Sequence, residues 1–184
     1  HTVRSMLAGK HVGLGGSPER RYATGRGVAY LVNRATDTIG LDIGKATVAV
    51  QGYGNVGSIA ALSLARYGAK IIAVSDVRGG IYNENGLDLW KLEQHVAEQQ
   101  TVTGFVDAAP ISNEELLLLP CDILVPAALE RQITEANAAK IQCHILAEAA
   151  NGPTTPEADV ILNQRPEVFI IPDRKSTRLN SSHR

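Results

Sequence analysis

Twelve residues, Ala46-Thr-Val-Ala-Val-Gln-Gly-Tyr-Gly-Asn-Val-Gly57, read as an apolar strand that runs into a glycine turn and then a helix. A second apolar run, Lys70-Ile-Ile-Ala-Val-Ser-Asp76, ends on an acid nineteen residues after Gly57. In such an order Gly52 lets the chain turn sharply off the strand, and Gly54 lets backbone come close to a pyrophosphate. Gly57 lets the helix lie tightly on the sheet. The helix then starts with free N–H groups and a partial positive charge that attract phosphate. A carboxylate at Asp76 stands where it can accept hydrogen bonds from ribose hydroxyls. The chemistry these parts suit is the binding of a dinucleotide by Gln51, Gly52, Tyr53, Gly54, Asn55, Val56, Gly57 and Asp76. Two blander readings compete: a glycine turn kept only for helix–sheet packing, or a nucleotide fold that has lost its ligand.

Composition narrows the rest. The 184 residues are enough for one domain with a sizeable core and short for two. With 4% aromatic residues in a chain that is 44% apolar, the core must be built from Ala, Val, Ile and Leu, which suits helices packed closely on a parallel sheet. The formal charge of −1, without a basic run in the body of the chain, argues against a nucleic-acid partner. Five scattered histidines lack ligand spacing, so no metal site is expected. Cys121 and Cys143 each sit beside a strand-like run and read as buried free thiols of a reducing compartment. No signal peptide and no apolar run near membrane length is present, which makes a cytoplasmic protein the default expectation.

The elements that must position the turn follow from periodicity. Val28, Leu31, Val32, Ala35 and Ile39 recur at helical spacing over 23–39, and Gly40 reads as the stop. Strands are expected at 46–51 and 70–75, with a helix at 55–67 carrying Ile59, Leu62 and Ala65 between them. Gly79 to Gly86 reads as turns, followed by a helix over 87–99 that faces Leu89, Leu92 and Val96 inward. Ser112-Asn-Glu-Glu115 is a capping box for a short helix through Leu119. A strand at 121–125 stops at Pro126, Thr134 caps a helix through Ala139, and 141–147 is a further strand. Thr155-Pro156-Glu157 starts another helix, and 167–171 is the final strand. The alternation predicts an α/β fold: a Rossmann-type doubly wound, mainly parallel sheet with helices on both faces.

Several phrases in register resemble the cofactor domain of glutamate dehydrogenases. They are Leu14-Gly-Gly-Ser17, Arg21-Tyr-Ala-Thr-Gly-Arg-Gly27, Val50 to Gly57, Ser75-Asp-Val-Arg-Gly-Gly-Ile-Tyr82, Leu124-Val-Pro-Ala-Ala128 and Ala147 to Ala158. The leucine, phenylalanine and valine dehydrogenases share the glycine turn, but Gly80-Ile-Tyr-Asn83 looks more like the glutamate enzymes. The resemblance covers about residues 1–173, read as one dinucleotide-binding domain truncated at both ends. Residues 174–184 switch to polar and basic sequence and look non-native, like translated vector.

That resemblance implies reversible oxidative deamination of glutamate to 2-oxoglutarate and ammonia, with hydride passing to a nicotinamide. It implies that Thr24 bonds the cofactor near its nicotinamide, that Asn55 contacts the pyrophosphate or a ribose, and that Ala127 and Ala128 border the cofactor. It also implies that Asn151 reaches the carboxamide. As alternatives, Thr24 caps a helix over 25–39, Asn151 is turn chemistry before Gly152-Pro153, and the two alanines are small only for packing. Arg20, Arg21 and Arg26 form a basic cluster near Thr24, read as solvated charges or inter-subunit pairs, with a cleft contact to cofactor or partner domain as the alternative, and Glu148 at a strand's end is read as non-catalytic. Asp76 favours NAD, whereas Arg78 admits NADP by pairing with a 2′-phosphate. The family's catalytic lysine and aspartate belong to a domain upstream of residue 1, so no catalytic residue is expected in this chain, and the isolated piece should bind cofactor without turnover. The resemblance implies a homo-hexamer for the full-length enzyme. The alternative functions are a leucine, phenylalanine or valine dehydrogenase domain, a non-catalytic nucleotide-sensing module, or a methyltransferase with a similar turn.

Overall fold

A computed structural model describes residues 18–173, with side chains from Tyr22 onward. Leu14 to Ser17, the side chains of Arg20 and Arg21, and the tail after Asp173 lie outside the described residues. Among the described residues, seven strands form one sheet: β1 (Thr47–Gln51), β2 (Lys70–Asp76), β3 (Gly79–Tyr82), β4 (Ala109–Ile111), β5 (Ile123–Pro126), β6 (Ile145–Ala147) and β7 (Phe169–Ile171). Their spatial order is β4-β3-β2-β1-β5-β6-β7. β2, β1, β5, β6 and β7 run parallel, while β3 and β4 are antiparallel additions at one edge.

Among the described residues, five α-helices complete the layers: α1 (Pro18–Ile39), α2 (Asn55–Arg66), α3 (Leu89–Gln99), α4 (Asn113–Leu117) and α5 (Pro156–Asn163). Each parallel strand alternates its side chains between two apolar clusters, one on either face. Val48, Val50, Ile123, Val125 and Ile145 meet α1, α2 and α3 on one face. Ala49, Leu124 and Leu146 meet α4 and α5 on the other. This is the doubly wound, mainly parallel α/β architecture expected of the sequence. Ile72 is an extra residue in β2, inserted where Val48 pairs with Ile71 but Ala49 pairs with Ala73. The bulge turns two successive side chains, Ile72 and Ala73, into the second cluster.

Several boundaries differ from expectation, each for a local reason. α1 starts at Pro18 rather than 23, because proline is well placed in a first turn. Thr24 therefore lies inside the helix and does not cap it. The inward face of α1 matches the expected stripe only in part: Val28, Val32 and Ala35 face the core, but Leu31 and Ile39 are exposed, and Ala29 and Thr36 are buried in addition. Small residues win because α1 lies directly on α2. A methyl at Gly25 would stand 2.8 Å from both Ile59 Cβ and the Val56 carbonyl. α2 itself buries Gly57, Ala60, Ala61 and Leu64 on the sheet, leaving Ile59 half-buried under α1.

The 79–86 segment is a strand before it is a turn, since Gly79 to Tyr82 pairs with β2 and only Asn83 onward bends. Residues 109–111, unassigned in the sequence, pair with β3. The expected helix after Thr134 is only a 3-10 turn at Ala138–Lys140. Asn137 accepts the Thr134 N–H at 2.9 Å and donates to the Gln132 carbonyl at 3.0 Å, and such side-chain bonds compete with a helix. β6 is shorter than 141–147 because its ladder to β5 begins at Ile145. The capping box at Ser112 and the Thr155 cap of α5 both form as expected.

Candidate functional site

The chain order places a switch point between β1 and β5. From β1 the path goes through α2 to β2 on one side, and it returns through α4 to β5 on the other. Connections that diverge this way leave a crevice beyond the carboxyl ends of the two strands, where ligands of such sheets bind. The glycine turn lies at that point. Gly52 has φ +93°, a left-handed conformation, and a Cβ there would stand 2.9 Å from the backbone of Ala127 and Ala128. Its neighbour Gln51 accepts the Ala127 N–H at 2.7 Å, so the turn after β1 and the loop after β5 are locked together.

Gly57 meets a harder constraint, because a Cβ there would fall 1.7 Å from the Gly52 carbonyl oxygen. Gly54 meets none. Its backbone is extended at φ −85°, a conformation open to any residue, and nothing lies within 4 Å of where its Cβ would be. The fold thus requires two of the three glycines for its own packing and leaves the middle one facing open space. Gly54 is also the N-cap of α2 and supplies no side-chain cap, so the first N–H groups of the helix point out beside it.

Around the turn, supporting side chains come from distant segments. Tyr53 is buried; its hydroxyl meets Glu93 of α3 at 2.5 Å. Burial, reinforced by that carboxylate, pushes the phenol far above its ordinary value. Tyr53 anchors the turn to α3, leaving its backbone as the part a ligand can reach. Ser75 accepts the Gly52 N–H at 3.3 Å from β2. Gln51 is buried and donates to Gln132 at 2.9 Å. Val56 is half-buried at the start of α2, and Asn55 beside it is exposed. Thr24 is exposed on α1, one residue before the Gly25 contact with Val56, so the helix crossing brings it to the start of α2. Arg26 lies over the Tyr22 ring at 5.3 Å, an intrahelical contact that occupies it.

Asp76 stands at the end of β2 as expected, but its carboxylate is already engaged. One oxygen accepts from Thr101 Oγ1 at 2.7 Å and the Val102 N–H at 2.8 Å; the other accepts from the Arg78 N–H at 2.8 Å. Burial raises its pKa, but these hydrogen bonds together outweigh burial and hold the carboxyl below its ordinary value. Arg78 and Val77 at the tip are exposed. A depressed acid contributes stability that is present above the unfolded-state pKa and lost as pH falls through the folded one. Asp76→Asn should therefore cost roughly 1–3 kcal/mol at pH 7 by leaving donors unmatched, with the difference from the parent shrinking below about pH 4. Urea denaturation at pH 7 and pH 3 checks this; an equal loss at both would contradict it.

On the β5 side, Ala127 is half-buried and Ala128 exposed. The loop after β6 folds against this segment: the Ala149 N–H donates to the Pro126 carbonyl at 3.0 Å, and the Arg131 N–H to Gly152 at 2.9 Å. Asn151, exposed in that loop, is thereby carried to the same rim. Glu148 is buried and accepts the Asp173 N–H at 2.8 Å. Burial raises it overall, against the lowering effect of that bond. Its work is to hold the exit of β7. The expected site residues Gln51 to Gly57, Thr24, Ala127, Ala128 and Asn151 thus share one edge, with Asp76 and Arg78 at its β2 end. Glu93, Ser75, Thr101, Val102 and Gln132 support them and carry no sequence signal. Among the described residues, no group of three or more His, Cys, Asp or Glu is placed to hold a metal, and no helix is long and apolar enough to cross a membrane.

The family model described as glutamate/leucine/phenylalanine/valine dehydrogenase matches residues 15–177. A glutamate dehydrogenase of Thermotoga maritima is 52% identical over 174 residues, covering 94% of this chain and 42% of that protein. The cryptic catabolic NAD-specific glutamate dehydrogenase of Bacillus subtilis is 46% identical, over 91% of this chain and 39% of its own length. Among solved structures, the hetero-hexameric glutamate dehydrogenase of Thermus thermophilus in its Leu-bound form superposes with a TM-score of 0.79 at 31% identity. It covers 90% of this chain and 39% of that one. The chain therefore spans about two fifths of the length of the relatives it matches.

Proposed function

The chain belongs to the glutamate/leucine/phenylalanine/valine dehydrogenase family, and on that premise we propose that it is the dinucleotide-binding unit of a glutamate dehydrogenase. The observation that carries this reading is Gly54: its missing side chain serves no contact inside the fold, yet it lies at the switch point beside the bare start of α2. A pyrophosphate placed there receives the N–H groups of the turn and of α2, as well as the helix's partial positive charge. When bound, a nicotinamide dinucleotide supplies hydride chemistry. The residues of this chain bind and orient it. Asn55 contacts the pyrophosphate or a ribose, Thr24 and Asn151 bond the nicotinamide end, and Ala127 and Ala128 keep the crevice open where the ring lies. Residues 1–173 act as one such domain.

NAD is the proposed cofactor, because the Asp76 carboxylate at the end of β2 repels a 2′-phosphate. A specific observation favours NADP as a second reading. Protein donors already engage both Asp76 oxygens, so little capacity is left for ribose hydroxyls, and Arg78 is exposed beside them. Arg78→Ala separates the two: NADPH binding weakens and NADH binding does not, if Arg78 serves a 2′-phosphate.

The proposed reaction is oxidative deamination of glutamate to 2-oxoglutarate and ammonia, performed by a longer protein assembled as a homo-hexamer. Proton transfer in that reaction needs a lysine of lowered pKa beside the substrate. The lysines of the described residues stand elsewhere. Lys45 precedes β1 and Lys70 opens β2 at the far edge of the sheet, Lys91 pairs with Asp107, and Lys140 lies in the 3-10 turn. Glutamate-dependent reduction of NAD by this chain alone is the direct assay. No rate above background is expected, and a measurable rate would place catalytic groups within the 184 residues.

A further inference from the structure

Opposite the glycine turn, at the amino-terminal edge of the sheet, an open cleft of about 420 Å³ is lined by Thr47, Cys121, Asp122, Cys143, His144 and Arg165 among others. Both cysteines are free thiols, and they are the two cysteines of the chain. Their juxtaposition follows from strand register. In the β5–β6 ladder Ile123 pairs with Ile145 and Leu124 with Leu146, in parallel. Ahead of the ladder the two segments stay bonded, the Cys121 N–H to Gln142 at 3.1 Å and the His144 N–H to Asp122 at 3.0 Å. These bonds hold Cys121 beside the segment that carries Cys143, and the Cys143 thiol acts directly on that of Cys121. Neighbouring strands lie about 5 Å apart, within the Cα separation that a disulfide spans. Both side chains point to the same face, since both belong to the cluster under α4 and α5 and both line the cleft.

We propose that Cys121 and Cys143 are a peroxide-oxidisable pair that closes to a reversible disulfide across the entry of β5 and β6. The cleft admits a small oxidant to sulfur atoms that are otherwise packed. Cys143 reacts first. Burial pushes its thiol up to about 12, but the Arg165 guanidinium opposes that rise, whereas Asp122 adds to the rise at Cys121. The Cys143 thiolate attacks one oxygen of hydrogen peroxide and the O–O bond breaks. This leaves a sulfenic acid and hydroxide, which takes up the thiol's proton as water. The Cys121 sulfur then attacks the sulfenic sulfur, the S–O bond breaks and a second water leaves. Two thiols lose two electrons in total, and one peroxide becomes two waters. Burial makes the first step slow, so the pair responds to sustained oxidant rather than to trace peroxide.

The test is to expose the folded chain to hydrogen peroxide, block residual thiols with iodoacetamide in urea, and measure intact mass and unreduced peptides. The expected result is a monomer lighter by two hydrogens with neither thiol blocked, a Cys121–Cys143 peptide, and recovery of both thiols on reduction. In Cys121→Ser the same exposure should leave a Cys143 sulfenic acid that dimedone traps. Two blocked thiols after exposure, a disulfide only between chains, or sulfinic acid without a cross-link would each overturn the proposal.

Discussion

Gly57→Ala should lose roughly 3 kcal/mol of folding stability, the upper end for overpacking a tight contact. The added methyl would fall 1.7 Å from the Gly52 carbonyl oxygen, far inside contact distance. Neither side can yield cheaply. Gly52 is fixed by its left-handed φ of +93° and by its contact with Ala127 and Ala128. Gly57 is fixed because α2 is held between the sheet and α1, through Ala60, Ala61 and Leu64 below and Gly25 above. Strain therefore spreads into the β1–β5 junction rather than into solvent. For a domain of this size the thermal midpoint should drop by roughly 10 °C. Calorimetry reads this directly, and an unchanged midpoint would show that the turn is not packed as described.

Gly54→Val should do the reverse. No atom lies within 4 Å of the added side chain's first carbon, and the extended backbone at φ −85° accepts a branched residue. Stability should change by less than about 1 kcal/mol, most of it from exchanging a tolerable N-cap for a poor one. Dinucleotide binding should fall at least about a hundredfold, because the isopropyl group occupies the approach of the pyrophosphate to the α2 N–H groups. The pair of variants separates two reasons for a glycine: one is required by the fold, the other by whatever docks on it. A Gly54→Val chain that keeps its affinity would return the turn to pure packing.

How much of this was legible in the sequence depends on the physical range of each signal. The turn was legible because three glycines with different steric demands sit at fixed spacing between a strand and a helix. Asp76 was placed correctly because a strand's apolar run ends on it. What holds Asp76 was not legible: Thr101 and Val102 come from the loop after α3, in the long connection between β3 and β4, which has no periodic pattern. The β3 segment reads as turns in the sequence, since Gly79, Gly80 and the Asn83 to Gly86 stretch outweigh a four-residue strand, and the three residues of β4 carry too little pattern to assign. On α1 the periodicity correctly points Val28, Val32 and Ala35 inward but adds Leu31 and Ile39 on hydrophobicity alone, whereas the close approach of α2 selects small residues such as Gly25. The cysteines were read as buried thiols, which they are. Their side-by-side placement depends on a register that periodicity alone does not supply.

The most direct measurement is a fluorescence titration of the native chain with NADH, followed by NADPH, with circular dichroism confirming that the chain is folded. Saturable binding of one NADH per chain, tighter than NADPH, is the result expected if the crevice beside Gly54 is a dinucleotide site with Asp76 setting its preference. A folded chain that saturates with neither nucleotide would contradict the assignment of that crevice.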